Sequence, residues 1–77
     1  MNDSEKKFLE LVSEIFETES ENLSLDMDFR EEIDGFNSMI GFSLIIMMED
    51  EYNVRISVDE FLKCKTIRDL YNKCVIS

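Results

Sequence analysis

The chain has 77 residues, enough for one domain expected to span residues 1–77. A chain this short buries only about 60% of its unfolded surface, which leaves no room for both a full core and a large enclosed active site. Eighteen acidic residues against eight basic ones give a net charge of −10, which repels nucleic acid and anionic membranes and makes basic protein surfaces the natural partners. The absence of histidine removes the usual general base and speaks against Ser-His-Asp hydrolysis, so no enzymatic activity of its own is expected.

The N-terminal segment Met1-Asn2-Asp3-Ser4-Glu5 lacks the basic and apolar regions of a signal peptide, and a cytoplasmic location is expected. A first helix is predicted over Asp3 to Glu17, because Phe8, Leu9, Leu11, Val12, Ile15 and Phe16 recur at helical spacing on one face. Asn2, Asp3 and Ser4 are all competent caps, with Glu5 following in the first turn.

Residues 18–37 are polar and contain Gly35, which reads as a long loop. Leu23, Leu25, Met27 and Phe29 alternate with polar residues, as do Val54, Ile56 and Val58. Pairing these segments would give an α+β ribbon. An isolated strand pair is marginal in stability, so a loop pinned to the helices by its apolar side chains ranks first. Asp26 and Asp28 resemble the start of a calcium loop, but Glu31 stands where such a loop needs glycine.

Next comes Asp34-Gly35-Phe36-Asn37-Ser38-Met39, where turn-forming and capping residues meet the apolar run Ile40 to Met48. That run is too short to cross a bilayer, which needs about 20 apolar residues. A second helix is predicted over Ser38 to Tyr52, burying Leu44, Ile45, Met48 and Tyr52, with Gly41 one turn earlier letting another element approach closely. Ser38 then sits at a helix N-terminus, where free N–H groups and the helix dipole favour a negative charge, and a phosphate ester on its hydroxyl would be well placed. From local composition alone, the stronger reading of Ser38 is an ordinary helix-start serine that caps the second helix or follows an Asn37 cap. Glu49, Asp50 and Glu51 lie near the C-terminal end against the dipole's preference, as a surface role or a plain solvated face would allow.

A short third helix is predicted over Val58 to Lys63, capped by Ser57 and anchored by Phe61 and Leu62. The last helix opens at Thr66, with Asp69 as its capping-box partner and Ile67, Leu70, Tyr71, Cys74 and Val75 on one face. Cys64 and Cys74 lie far apart in no CxxC pair, and read as reduced thiols at the core or its rim rather than a zinc or disulfide site. The expected architecture is all-α: a small four-helix bundle of three main helices and one short one, with a long loop between the first and second helices.

Three ordered segments carry a family resemblance. They are Gly35-Phe36-Asn37-Ser38-Met39; the run from Leu44 through Glu49-Asp50-Glu51-Tyr52 to Ile56-Ser57; and Thr66-Ile67-Arg68-Asp69-Leu70. Together they resemble the acyl carrier protein family, which includes peptidyl carrier domains, over nearly the whole length. The resemblance implies a four-helix bundle with 4′-phosphopantetheine attached to Ser38 through a phosphodiester, its thiol holding an acyl group as a thioester. The hard chemistry then belongs to the cofactor and to partner enzymes. Implied partners are a phosphopantetheinyl transferase and acyl-loading and acyl-transferring enzymes of fatty-acid, lipid or specialised-metabolite synthesis, met by a monomer.

The chain departs from the family pattern at Asn37, which stands where carriers usually have aspartate, and at Ser57, which stands for a common proline. Ile40 and Ser43 replace acids on the exposed face of the second helix. With Met39 and Met47 they suggest either extra core burial or apolar docking by a partner. Glu31, Glu32, Asp34, Glu49, Asp50 and Glu51 flank that helix and are expected to steer basic partners toward Ser38. The competing readings are an unmodified helical interaction module and an aminoacyl or peptidyl carrier.

Overall fold

The computed structural model describes residues 2–76. Helix α1 spans Asp3–Phe16, α2 Ser38–Tyr52, α3 Val58–Lys63 and α4 Ile67–Ile76, with a short 3-10 turn at Ser20–Asn22. Among the described residues there is no strand, only an isolated antiparallel bridge between Asp28 and Thr66. The all-α expectation therefore holds and the ribbon alternative does not.

Each helix begins where its sequence supplies a cap. Of the three candidates before α1, Asn2 takes the role. Its side chain accepts the Glu5 N–H at 2.8 Å, and the Glu5 carboxylate accepts the Asn2 N–H at 3.0 Å. The helix stops one residue short of Glu17, which adopts a left-handed φ of 57° as the C-cap. Ser57 and Glu60 form the same reciprocal box at α3, and the Ser57 backbone N–H helps hold the Glu60 carboxyl below its ordinary pKa. At α4, the Thr66 hydroxyl accepts the Asp69 N–H at 3.2 Å, while the Asp69 carboxylate accepts the N–H groups of Lys65 and Thr66.

The long loop is an active part of the architecture. Leu23, Leu25 and Phe29 are buried and Met27 is partly buried, so the alternation marks side chains pinning the loop to the helices. Its backbone completes α4: Arg68 N–H donates to Leu25 carbonyl at 2.7 Å and Ile67 N–H to Met27 carbonyl at 3.1 Å. These are among the helix-end donors that have no acceptor within a helix of their own. Arg30 does the converse at the C-terminal end of α3, its guanidinium donating to the Phe61 carbonyl at 2.8 Å and to the Cys64 carbonyl. The Asp28 carboxylate accepts the N–H groups of Arg30 and Glu31, fixing the turn that aims Arg30.

The core is built around Phe8 and Val12 of α1, Phe29 of the loop, Leu44 and Met48 of α2, and Ile67 and Leu70 of α4. Full burial stabilises each such side chain by about 1.5–3 kcal/mol. Phe8 meets the rings of Tyr52 and Tyr71 at centroid distances of 5.7 and 5.5 Å, joining α1, α2 and α4. The Tyr71 hydroxyl donates to Ser4 at 3.0 Å. Cys64 and Cys74 are both free and buried.

Three assignments need correction. Leu62 does not anchor α3; it is mostly exposed, and Phe61 alone faces the core because a six-residue helix buries little more than one turn's inner side. Val75 lies at the exposed margin of the α4 stripe. Met47 belongs to the buried side of α2 rather than to its outer face.

Candidate functional site

Gly35 turns the chain with a φ of 92°, a conformation that L side chains rarely adopt, and delivers Asn37 as an extended N-cap of α2. The Asn37 side-chain oxygen accepts the Ile40 N–H at 2.9 Å, and its carbonyl accepts the Gly41 N–H at 3.0 Å. Ser38, the first helical residue, is exposed and its hydroxyl takes no part in the cap. The N–H groups of Ser38 and Met39 lie ahead of the intrahelical ladder. No acidic residue occupies the first turn, so the positive end of this 15-residue helix is not offset by its own side chains.

Beside Ser38 lies a cleft of about 160 Å³, bounded by Phe36, Gly41, Phe42 and Ile45 on one side and by Val58, Phe61, Leu62 and Arg30 on the other. Gly41 is what makes the α2–α3 approach possible. A Cβ there would stand 3.3 Å from the Phe61 ring and 3.5 Å from the Phe36 ring. Arg30 is the one cation of the lining. Its guanidinium carbon lies 4.6 Å from the Phe29 ring centre and 5.2 Å from that of Phe61.

The residues singled out in the sequence fall into three places. Asn37, Ser38 and Met39 form the opening of α2, with Met39 78% exposed. Ile40 is half-buried and packs on the core, while Ser43 is exposed further along the helix. Glu49 and Asp50 are exposed in the last turn, well removed along the axis from Ser38, and Glu49 pairs with Arg55 at 2.9 Å. Glu31, Glu32, Asp34 and Glu51 are exposed too.

The apolar face beside the site is different from the one expected. Phe42 and Ile46, at 58% and 57% exposure, continue the line from Met39, and Val58 and Leu62 of α3 stand at 53% and 62%. Sequence periodicity did not separate these from core residues, because α2 is apolar on nearly all sides. The spacing 39, 42, 46 was visible but equally compatible with burial.

This geometry suits a phosphodiester. An exposed hydroxyl stands at a positive helix end with no acid in the first turn, and an apolar cleft lies beside it. Among the described residues no helix is long and apolar enough to cross a membrane. The model of the family described as "Phosphopantetheine attachment site" matches residues 6–74, nearly the whole chain. The chain is also 27% identical over 71 residues to an acyl carrier protein of Treponema denticola, covering 92% of this chain and 90% of that protein. The chain belongs to the phosphopantetheine attachment site family of acyl carrier proteins: it is a carrier, not a catalyst, and its prosthetic group is phosphopantetheine held on a serine.

Proposed function

We propose that Ser38 is that serine, and that the protein presents an acyl group, held as a thioester, to enzymes of fatty-acid, lipid or specialised-metabolite synthesis. One observation carries the choice of residue: Ser38 combines exposure, a hydroxyl outside the cap and the first position of a long helix. Other serines fit less well. The Ser57 hydroxyl serves its own cap, the Ser13 hydroxyl donates to the Glu10 carbonyl and is buried, and the Ser4 hydroxyl accepts from Tyr71.

In the modification, Ser38 Oγ gives up its proton and forms the ester bond to phosphorus, while coenzyme A releases adenosine 3′,5′-bisphosphate. When bound, the group supplies the thiol that carries the acyl chain. The N–H groups of the first turn of α2 favour the new negative charge, and the cleft walled by Phe36, Phe42 and Phe61 offers the arm an apolar neighbour. The reading includes one carrier domain over residues 1–77, acting as a cytoplasmic monomer that meets a phosphopantetheinyl transferase. Asn37, Met39, Ile40 and Ser43 form its contact region beside the attachment point. The acids Glu49 and Asp50 assist approach of basic partner surfaces.

Intact mass after incubation with coenzyme A, magnesium and a broad-range phosphopantetheinyl transferase tests this. A single phosphopantetheine adduct, lost in Ser38→Ala, is expected. If wild type and Asn37→Asp both stay unmodified while a control carrier is modified, and the protein isolated from its natural host carries no adduct, the reading fails. The unmodified interaction module then takes its place. Analysis of the thioester cargo separates acyl from aminoacyl or peptidyl use.

A further inference from the structure

We infer that Arg30 tunes the cleft beside Ser38 to a short cargo ending in a carboxylate, in preference to a neutral acyl group of the same length. Of the eight basic residues, Arg30 alone is not exposed. It is the one cation in an otherwise largely apolar lining, to which Ser38 also belongs. Arg55, Arg68 and Lys73 pair with carboxylates, whereas Arg30 has no ion pair among the described residues. The acids nearest to it in sequence are engaged by the backbone. The Asp28 carboxylate accepts the N–H groups of Arg30 and Glu31, and the Glu32 carboxylate accepts the Asp28 N–H at 2.7 Å. In a chain with eighteen acids, the one sheltered cation is thus left without a counter-ion.

The groups that hold Arg30 do not neutralise it. Nη1 and Nη2 donate to the carbonyls of Cys64 and Phe61, and the guanidinium carbon lies 4.6, 5.2 and 5.9 Å from the Phe29, Phe61 and Phe36 ring centres. Carbonyl dipoles and ring faces ease the burial of a cation but carry no full negative charge. The two bonds also use only part of the guanidinium's N–H donors. A carboxylate supplies both the missing charge and a planar acceptor for the fork. The cleft volume of about 160 Å³ suits a chain of a few carbons, with Phe36, Phe42 and Phe61 covering its methylenes. Cargo tethered at Ser38 meets the cleft at a high effective concentration. A neutral chain end pressed against Arg30 would strip water from the cation without replacing it by charge, so exclusion and attraction select in the same direction.

The inference rests on the carrier reading, and its test separates the two. Amide-linked coenzyme A analogues place a succinyl, a succinamyl or a butyryl group on the arm without a labile thioester, and a broad-range transferase loads each onto the full chain. Succinamyl differs from succinyl only in a neutral amide in place of the carboxylate. The succinyl form is expected to shift the Arg30 Nε–H resonance relative to both neutral forms, and to melt about 4 °C or more above them. In Arg30→Met, with helical circular dichroism retained, all forms should melt together. Arg30→Lys keeps the charge without the fork and should retain only part of the contrast. If Arg30→Met does not fold, Arg30→Lys and the cargo comparison in wild type decide. Equal midpoints and equal Arg30 resonances across the wild-type forms would overturn the inference. So would an Arg30 shift already complete in the form with a free thiol, which assigns the guanidinium to the phosphodiester. A succinyl advantage unchanged in Arg30→Met overturns it too, by assigning the effect to the N-terminus of α2. If neither wild type nor Asn37→Asp accepts any analogue while a control carrier does, the carrier reading and the inference fall together. Loading without discrimination removes the inference alone.

Discussion

Arg30 and Phe61 are joined twice: Nη2 donates to the Phe61 carbonyl at 2.8 Å, and the guanidinium carbon lies 5.2 Å from the centre of the Phe61 ring. One side chain from the long loop thereby satisfies the C-terminal carbonyls of α3 and packs on the ring that Gly41 of α2 approaches. Replacing it with a neutral chain of similar length, Arg30→Met, keeps much of the packing and removes the donors. Hydrogen bonds from a charged group contribute about 1.5–3 kcal/mol, so a loss of that order is expected in urea unfolding. Arg30→Lys should recover only part of it, because an ammonium cannot reproduce the planar fork.

Gly41 sets the distance between α2 and α3. Alanine would gain about 1 kcal/mol of helix propensity but meets the Phe61 ring at 3.3 Å. Gly41→Ala is therefore expected within about 1 kcal/mol of wild type. Gly41→Val, which adds a branched side chain against two rings, should destabilise by about 1–3 kcal/mol. Chemical denaturation of the two variants side by side checks the contrast.

Asp69 gives the fold a definite acid dependence. Its carboxylate accepts the Lys65 N–H at 2.9 Å and the Thr66 N–H at 3.1 Å, which holds its pKa below the ordinary value. A carboxylate depressed in the folded state contributes fully above its unfolded pKa of about 3.9 and loses that contribution as pH falls through the folded value. Asp69→Asn should cost about 1 kcal/mol near neutral pH, by analogy with lost helix caps, and the difference should shrink below the unfolded carboxylate pKa. Urea midpoints at neutral and acid pH measure it.

The thiols report the opposite limb. Burial pushes Cys74 up to about 11 and raises Cys64 as well. Both stay neutral in the fold. Their contribution is complete below the unfolded thiol pKa of about 8.5 and is lost as pH rises through the folded values. A thiol-specific reagent at mildly alkaline pH should label the native protein at least about tenfold more slowly than the denatured chain, since only exposed thiolate reacts. Equal rates would contradict the burial of both side chains.

Asn37 separates capping from charge. Asn37→Ala should lose about 1 kcal/mol in thermal unfolding because the Ile40 N–H loses its acceptor, whereas Asn37→Asp keeps an equivalent cap. A stability match between wild type and Asn37→Asp, with a different rate of modification by the transferase, would locate the effect of this residue in recognition rather than folding.

The helices were legible because their ends are chemically sharp. Asn37 and Ser57 placed the starts of α2 and α3, and α1 differed only at Glu17, whose left-handed conformation no side-chain pattern announces. The close approach at Gly41 was legible for the same local reason. The faces of α2 were not. A helix apolar on nearly every side carries no periodic signal for its inner face, so only its packing in the fold decides that Met47 is inside and Phe42 outside. Arg30 was equally hidden, because its two carbonyl acceptors lie 31 and 34 residues further along the chain.

The packing of Phe8 has a practical consequence. The chain contains no tryptophan and only two tyrosines, and both tyrosine rings contact Phe8. All of its tyrosine fluorescence therefore originates at one junction of α1, α2 and α4. Tyr52 closes α2, about 21 Å along the helix axis from Ser38 at a rise of about 1.5 Å per residue. Tyrosine emission should follow whether the first helix is seated. It should stay silent to events at the opposite end of α2, which makes it a clean monitor of folding during any chemistry performed there.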